Sequence, residues 1–478
     1  MKTSTRILLA FAFVFQMLFF QESQAQETEQ EKYLKENAQN WTKEQRLYAL
    51  SSFWMYVKYN YVYMYKIGHE RLDSLYQSYI TPTLEAKNDY EFCNILDHFC
   101  ADLKDEHTYI DRPIWNYTTT YFTDNWSIKT EYIDHKVIVT GISEVKEKEV
   151  PLGSEIIEVN GLPVEDALVK RAAKIPASTD HVRMALAGKL LLGNLIYSKE
   201  TIKFRRPDGE IRTFTFYNKY EKDYNQLKIK SLPKTSSFTK FDFQWYPGDI
   251  AYIKIGTFMP DSSIENGLNR ALPQLQKRAK KLIIDIRNNG GGNSGFAAKI
   301  MSHFITNKKA VDGRWYTSYH NAAYASWGAQ IEPKDTVNNE EKKEYFLNYH
   351  MLAMKEGGLS EYEIPKNTIR VIVPTLILTN YATCSSSENF LVIASGEKHI
   401  KLMGETTSGS TGNPVMYQLL PKLSCGICTK KDVYPDGREF VGSGIKPDYE
   451  VIPTLSDYLK GRDVVLETAL KQLEKERL

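Results

Sequence analysis

One stretch, residues 374–395, constrains the fold more than any other. Its first part, Thr375-Leu-Ile-Leu-Thr379, is a short apolar run typical of a buried parallel strand. Small polar residues follow at 380–385, and helical spacing begins at Ser386. A hydroxyl at such a strand-to-helix turn points out of the sheet, beside the N–H groups that open the helix. The pattern favours a serine nucleophile with half of an oxyanion hole, although a Ser-rich N-cap without chemistry also fits.

A second stretch, residues 281–292, repeats the arrangement of a buried strand followed by an unusual turn. Its apolar run ends in Asp285 and Arg287, and three glycines follow at 290–292. Glycines allow positive φ and a close approach of the backbone to a bound group, although a plain turn between strand and helix also fits. The strand predicted at 250–255 and the helix at 264–280 come just before it. This alternation of strand and helix predicts a parallel sheet.

Together the two stretches resemble the C-terminal-processing and tricorn-type serine peptidases. The Ser-x-x-Glu motif of that family matches Ser385 and Glu388, and Ser385 takes the place of the nucleophile. The resemblance implies that the backbone N–H groups of Gly291 and Ser386 stabilise the oxyanion and that no metal or cofactor takes part. The family's Asp-x-Arg-x-Asn-x-Gly-Gly motif is matched by Asp285, Arg287, Asn289, Gly291 and Gly292.

The general base is expected at His107. The family's Asp-x-His-Thr motif matches Asp105, His107 and Thr108. An isolated histidine is more often structural, but a serine hydroxyl must lose its proton in order to attack, and an imidazole suits that task.

Ser410 stands where many bacterial members carry a lysine, so the chain is similar to the tricorn-type subgroup, in which a histidine and an acidic residue assist the serine. We expect Glu439 to be the acidic partner of His107, with Asp436 as the alternative.

The order of segments predicts a multidomain α/β protein. A basic start, an apolar run at 7–20 and small residues at 23–25 indicate a signal peptide, residues 1–25. Export to the periplasm or the outside follows, with no membrane span left after cleavage. We expect an N-terminal helical domain at 26–124, a PDZ-like domain at 125–218 and an α/β core at 219–478. By family resemblance the core is ClpP/crotonase-like, with an insertion or lid at about 306–366.

The PDZ-like prediction comes from residues 150–164, which resemble the PDZ signature with Ser154 in the usual Asp place. PDZ domains add an extended peptide as a strand and capture its C-terminal carboxylate. A scaffold with no ligand groove fits equally well.

Net charge and cysteine content bear on whether the protein binds nucleic acid or zinc and whether it forms a disulfide. The net charge of +2 gives no reason to expect nucleic acid. Of the five cysteines, Cys425 and Cys428 are spaced for a local disulfide, the form favoured in an oxidising compartment. A zinc site on the same pair lacks further ligands in the sequence.

The sequence therefore predicts an exported serine peptidase that acts on polypeptides, possibly through their C-termini. Ser385 attacks the carbonyl and His107 takes the proton. The alternative is a non-catalytic protein that binds an apolar ligand or a peptide on the same fold.

Overall fold

The computed structural model describes residues 30–112, 128–195, 198–217, 228–233 and 239–475. The predicted signal peptide lies outside these ranges. The N-terminal region is helical, as expected. Thr42 is the N-cap of its first long helix, and its Oγ1 accepts the N–H of Gln45 at 3.2 Å. Residues 30–37 are helical, and the helices that follow are α1 Lys43–Asn60, α2 Met64–Ile67, α3 His69–Glu85 and α4 Asp89–Leu103.

A turn after α4 leads into the first strand of the described chain. Lys104 takes a left-handed conformation with φ 53° and ends α4. The following residues run through Asp105 and His107 into β1, Tyr109–Asp111. His107 therefore lies in a short connection that is fixed at both ends by regular structure.

The next region is a β-rich module with its own core. Its main sheet has the order β2-β3-β4-β6-β7, with β5 paired to β4 and β8 to β3. Val137, Ile156 and Phe204 are buried in a cluster separate from the rest of the molecule. Because β8 belongs to this sheet, the module continues beyond residue 218. The elements are β2 Ile128–Ile133, β3 Lys136–Ser143, β4 Glu155–Val159, β5 Leu162–Pro163, α5 Val164–Ala172, α6 Asp180–Lys189, β6 Lys199–Arg205, β7 Ile211–Tyr217 and β8 Ile229–Ser231.

A six-stranded sheet forms the core, with the order β19-β15-β14-β11-β10-β9. Neighbouring strands from β19 to β10 are parallel, which confirms the prediction, whereas β9 joins the edge antiparallel. The elements are β9 Phe241–Tyr246, β10 Ile250–Ile255, α7 Ser262–Arg278, β11 Lys281–Asp285, α8 Ser294–Met301, β14 Thr375–Thr379, α11 Ser386–Ala394, β15 Ile400–Gly404, β19 Tyr449–Glu450, α12 Leu455–Lys460 and α13 Val464–Lys475.

Both faces of this sheet are covered, as expected for continuous apolar strands. In β14, Ile377 faces the main core, while Leu376 and Leu378 face a second cluster under α13. Burying each such side chain stabilises the fold by about 1.5–3 kcal/mol. The sheet is therefore a rigid platform, and its strands end where the site is found.

Two smaller sheets complete the core. In one, β1 pairs antiparallel with β17, so the segment after His107 is hydrogen-bonded to the C-terminal half of the chain. In the other, β12 lies between β13 and β18. The expected insertion at 306–366 thus contributes two strands of a core sheet, with helices between them. The elements are β12 Lys309–Ser318, α9 Ala322–Gly328, α10 Glu340–Tyr349, β13 Met354–Glu363, β16 Pro414–Leu420, β17 Leu423–Cys428 and β18 Lys430–Val433.

The disulfide predicted between Cys425 and Cys428 is wrong. Both thiols are free and buried. The two residues lie three positions apart in β17, so their side chains point to opposite faces, and their Cα atoms are roughly 10 Å apart along an extended strand. A disulfide needs Cα atoms within about 7 Å.

Two further observations apply to the described residues alone. No helix in these ranges combines the length and apolarity needed to cross a membrane. Within the same ranges, no group of three or more His, Cys, Asp or Glu side chains is arranged to bind a metal ion.

Candidate active site

Ser385 lies at the turn between β14 and α11, where the sequence places it. Its backbone has φ 58° and ψ −124°, a left-handed conformation that is uncommon for a residue with a side chain. The N–H of Ser385 donates to the carbonyl of Ser410 at 2.9 Å, which helps to fix this strained turn. Such strain persists only where surrounding contacts determine the conformation, and it is frequent at functional sites.

The structure brings His107 to Ser385 across 278 positions of sequence. Its Nε2 lies 3.2 Å from Ser385 Oγ. The other ring nitrogen, Nδ1, lies 2.8 Å from the hydroxyl of Ser410. Burial lowers the pKa of His107 to about 4, so the imidazole is neutral at physiological pH. A neutral imidazole with Nδ1–H pointing to Ser410 presents a free lone pair on Nε2 to Ser385.

The expected acidic partner is not at the imidazole. The carboxylate of Glu439 is half-exposed and pairs with Lys431 at 2.5 Å. The alternative, Asp436, pairs with Arg438 at 2.7 Å on the surface. The place expected for an acid beside Nδ1 is taken by the Ser410 hydroxyl. One signal for it is present in the sequence, since Ser410 stands where the resemblance places a lysine in many related enzymes.

Ser410 is itself fixed by Glu388, the fourth residue of the Ser-x-x-Glu motif. The buried Glu388 carboxylate accepts the N–H of Ser410 at 2.9 Å and that of Gly409 at 2.7 Å. It also accepts the hydroxyl of Thr407 at 2.6 Å. Burial raises the pKa of Glu388 to about 8, against the opposing effect of these donors. One carboxyl thus ties the start of α11 to the loop that carries Ser410.

The predicted oxyanion donors need one correction. The N–H of Gly291 donates to Oδ1 of Asn289, a residue of the same motif, at 2.9 Å, so it is not free to bind an oxyanion. Gly291 still packs directly against Ser385 and Ser386, where a Cβ would lie 2.8 Å from Ser386 N. Across the described ranges, no acceptor is found for the N–H groups of Ser386 and Gly292, both of which line the cavity at Ser385.

The remaining charged motif residues are structural. Asp285 is buried and accepts two hydrogen bonds from the guanidinium of Arg287, at 3.0 and 2.7 Å. Arg287 also pairs with Asp463 at 2.7 Å, just before α13. This network fastens the C-terminal helix to the sheet. Among the motif side chains, those facing the cavity are therefore Ser385 and His107.

A cavity of about 650 Å³ opens at the serine and histidine. It is lined by Gly292, Ser386 and Gly412 and by residues of β12 and β18. Gly412 is required at this position, because a Cβ there would lie 2.6 Å from Cβ of His107. The cavity is large enough for several residues of an extended peptide.

The chain is similar to known peptidases in sequence over its core and to solved structures in fold. Residues 249–451 match the model described as peptidase family S41. Mature CPAF complexed with lactacystin has 15% identity and a TM-score of 0.67, covering 90% of this chain and 98% of that one. Mature CPAF alone has 16% identity and a TM-score of 0.67, and the match covers 91% of this chain and 97% of that one. The photosystem II D1 C-terminal processing protease has 16% sequence identity and a TM-score of 0.44, and the match covers 85% of this chain and 93% of that one. No curated protein matches the chain.

The α/β core and the serine at its strand-to-helix turn are those of a serine-type peptidase. Over residues 249–451 the chain matches peptidase family S41. Its substrate class is accordingly polypeptide. The CPAF structures support the fold over nearly the whole chain, beyond the matched core.

Proposed function

We propose that the chain is an exported endopeptidase that hydrolyses peptide bonds with Ser385 as nucleophile and His107 as general base. The observation that carries this proposal is the 3.2 Å contact between His107 Nε2 and Ser385 Oγ at the wall of a 650 Å³ cavity. A serine hydroxyl is a weak nucleophile until a base within hydrogen-bond reach removes its proton.

The acylation step uses both ring nitrogens of His107. Ser385 Oγ bonds to the carbonyl carbon of the substrate while its proton moves to Nε2. The imidazolium then gives that proton to the leaving amine, the C–N bond breaks and an acyl-enzyme remains. Water repeats the sequence, so that the acid product leaves and Ser385 regains its proton. Throughout, Nδ1–H donates to Ser410 Oγ, which keeps the ring in the tautomer that accepts at Nε2.

The oxyanion that forms in these steps needs donors aimed at it in advance. Ser386 N–H is the first, since it opens α11 directly after the nucleophile. Gly292 N–H is the second, in place of the Gly291 N–H that Asn289 occupies. Removing one such donor in a serine peptidase costs roughly 10²–10³ in kcat.

Export and capture of substrate C-termini are parts of the same proposal. Export is supported by the targeting pattern of residues 1–25. A PDZ-like role is supported by the signature at 150–164 and by the separate sheet and core of the β-rich module. A module that binds a peptide terminus next to the cavity would deliver unstructured chains to it.

The decisive experiment is labelling by a fluorophosphonate probe with the modified residue mapped by mass spectrometry. We expect labelling at Ser385, loss of labelling and of peptide hydrolysis in Ser385→Ala, and retention of both in the neighbouring Ser387→Ala. Ser387 Oγ donates to Asn289 O, so it is a buried structural hydroxyl. Saturable binding of an apolar ligand without labelling or turnover would instead support a binding protein.

A further inference from the structure

A mostly buried carboxyl group lies next to the catalytic pair of Ser385 and His107. It belongs to Glu106, which directly precedes His107 in the turn between α4 and β1. In the described part of the chain Glu106 forms no ion pair, and burial raises the pKa of its carboxyl group. Placing a carboxyl group away from water without a cation is costly. Hydrogen bonds from its neighbours must therefore offset that cost.

Two donors from different segments converge on one oxygen of Glu106. Ser408 Oγ donates to Oε2 at 2.7 Å. The thiol of Cys384, a weaker donor, lies 3.6 Å from the same Oε2. Hydrogen bonds to an ionised carboxylate are stronger than those between neutral groups. The carboxylate form of Glu106 therefore joins the turn of His107 to two further segments.

Each segment joined in this way carries one member of the catalytic group. The neighbouring pairs are Glu106 and His107, Cys384 and Ser385, and Ser408 and Ser410. Only about 3.8 Å separates consecutive Cα atoms, so a shift of one segment displaces the reacting side chain that it carries. A displacement of about 1 Å can cost roughly 10²-fold in rate.

The bond from Ser408 to Glu106 adds a third attachment to a residue that is held on both sides already. Ser408 is 1% exposed. Its N–H donates to the carbonyl of Thr383 at 2.9 Å, and its own carbonyl accepts Thr179 Oγ1 at 3.1 Å. These two bonds attach the loop to the core and to the β-rich module. The Oγ bond attaches it to the turn that carries His107.

We propose that Glu106 is the acidic positioning residue of the active site. Its carboxylate holds the turn of His107, the turn of Ser385 and the loop of Ser410 in one arrangement. Its bonds go to the neighbours of these residues and not to the imidazole, and it is not among the residues that line the cavity. The proposal rests on the proposed peptidase function and adds a residue to the site that performs it.

The test compares variants of Glu106 that remove or keep the acceptor oxygen. Glu106→Ala removes both bonds, and kcat for a fluorogenic peptide should fall about 10- to 100-fold with KM nearly unchanged. Glu106→Gln keeps an acceptor oxygen of the same reach, so it should recover part of that loss. The rate at which a fluorophosphonate probe labels Ser385 should fall and recover in parallel, because labelling needs the catalytic pair but no bound peptide.

A double-mutant cycle identifies the contact that matters. Ser408→Ala removes the shorter of the two bonds, so it should lower kcat in the wild-type background and have little further effect in Glu106→Ala. Cys384→Ala should have a smaller effect, because a thiol is a weak donor. Losses of Glu106→Ala and Ser408→Ala that multiply in the double variant would overturn the proposal, since they would act independently.

The matched control is Glu200→Ala in the β-rich module. Glu200 is 2% exposed, and its carboxylate accepts Ser198 Oγ at 2.7 Å, the distance found between Ser408 and Glu106. It is not among the residues that line the cavity. The control variant should therefore lose thermal stability and keep the kcat and the labelling rate of the wild type.

The outcomes separate this inference from the peptidase function. Wild-type kcat and labelling in Glu106→Ala would overturn the positioning role and leave the peptidase intact. Equal losses of kcat in Glu106→Ala and Glu200→Ala would also overturn it, because they would reflect stability alone. If Glu106→Ala does not fold, Ser408→Ala decides, and an unchanged kcat there overturns the role. A wild-type protein that neither cleaves a peptide nor is labelled at Ser385 would remove both the peptidase function and this inference.

Discussion

At the scale of single residues, Nδ1 of His107 contacts the hydroxyl of Ser410. A carboxylate would both orient the ring and stabilise the imidazolium formed in the reaction. The Ser410 hydroxyl, 2.8 Å from Nδ1, orients the ring but adds no full negative charge. Burial already makes the imidazolium costly, as the low pKa of His107 indicates. Positioning is therefore the main contribution we assign to Ser410.

Ser410→Ala should lower kcat by roughly fivefold with little change in KM. The variant loses one hydrogen bond worth about 1 kcal/mol, so neither the tautomer nor the orientation of the imidazole is fixed any longer. Ser410→Thr should recover much of the activity, since it restores the hydroxyl. The measurement is steady-state hydrolysis of a fluorogenic peptide. Ser443→Ala, which removes an exposed hydroxyl in a nearby loop, is the control and should match the wild type. An unchanged kcat in Ser410→Ala would rule out the positioning role.

The pH dependence should follow His107 at an unusually low value. Below its pKa the imidazole is protonated and cannot accept the proton of Ser385, so kcat/KM should fall as the pH drops through about 4. A histidine with the usual pKa of about 6.5 would instead lose activity as the pH drops through about 6.5. A profile measured with uncharged peptides distinguishes the two, and half-maximal activity at pH 6–7 would contradict the buried environment.

The same profile needs a check on folding. Keeping His107 neutral destabilises the folded state relative to the unfolded chain as the pH falls from about 6.5 to about 4, by up to roughly 3 kcal/mol. Circular dichroism over the same pH range distinguishes a loss of activity caused by unfolding from one caused by protonation of His107.

The motifs predict Ser385 and His107 as the candidate pair but do not predict all of their contacts. The structure places the two side chains 3.2 Å apart. The prediction that Glu439 is the acidic partner of His107 is wrong, because the half-exposed carboxylate of Glu439 pairs with Lys431. Which of several polar side chains meets Nδ1 depends on how distant segments pack. No local pattern at Ser410 or Glu439 contains that information.

At the scale of elements, the loop between β15 and β16 is the part of the site least defined by regular structure. Its shape depends on Glu388 of α11 and on further bonds such as Ser408 N–H to Thr383 O at 2.9 Å. The strands and helices around it were predictable from apolar runs, as β14 and α11 demonstrate. The course of the loop was not, because a buried carboxylate in another element determines it.

Glu388→Gln should destabilise the protein by about 1–3 kcal/mol and reduce kcat. The amide retains one acceptor oxygen but turns an NH₂ group toward backbone N–H donors, which leaves buried donors unsatisfied. Thermal unfolding and peptide hydrolysis measure the two effects. Glu397→Gln is the comparison, since that buried carboxylate binds Thr306 and Asn307 away from the site. It should lose stability and keep kcat, and equal losses of kcat in both variants would contradict the role of the loop.

Gly412→Ala should separate the base from the nucleophile. The added Cβ would lie 2.6 Å from Cβ of His107 and 2.8 Å from Cys428 Sγ, so the imidazole must shift. A displacement of about 1 Å can cost roughly 10²-fold in rate. Gly396→Ala is the control, because its nearest atom would be 3.8 Å away. Hydrolysis assays should show a large loss in the first variant and none in the second, and comparable activities would refute the steric argument.

At the scale of the whole molecule, three regions meet at the site. The helical region supplies His107, the core supplies Ser385 and Ser410, and the β-rich module touches the segments that carry them. Thr179 Oγ1 donates to the carbonyl of Ser408 at 3.1 Å, and His181 Nε2 lies 3.0 Å from the carbonyl of Thr407. The N–H of Glu106 donates to Ser178 Oγ at 3.2 Å. The module is thus bonded to both sides of the catalytic pair, which its sequence alone did not indicate.

Thr179→Val should therefore lower kcat even though Thr179 lies outside the cavity. The variant keeps the shape of the side chain and removes the donor to Ser408, which frees one side of the loop that positions Ser410. We expect a loss of a few-fold, the effect of one hydrogen bond of about 1 kcal/mol, with KM for short peptides nearly unchanged.

The matched control is Thr201→Val in the same module, whose hydroxyl bonds Thr215 at 3.0 Å across two strands. It removes one threonine hydrogen bond of the same module, here an exposed one, without touching the loop, so its kcat should equal that of the wild type. Equal kcat in both variants, measured with the same peptide and confirmed folded by circular dichroism, would mean that the module contacts the site without supporting its geometry. A loss in Thr179→Val alone would show that the geometry around Ser385 depends on a region outside the family core at 249–451.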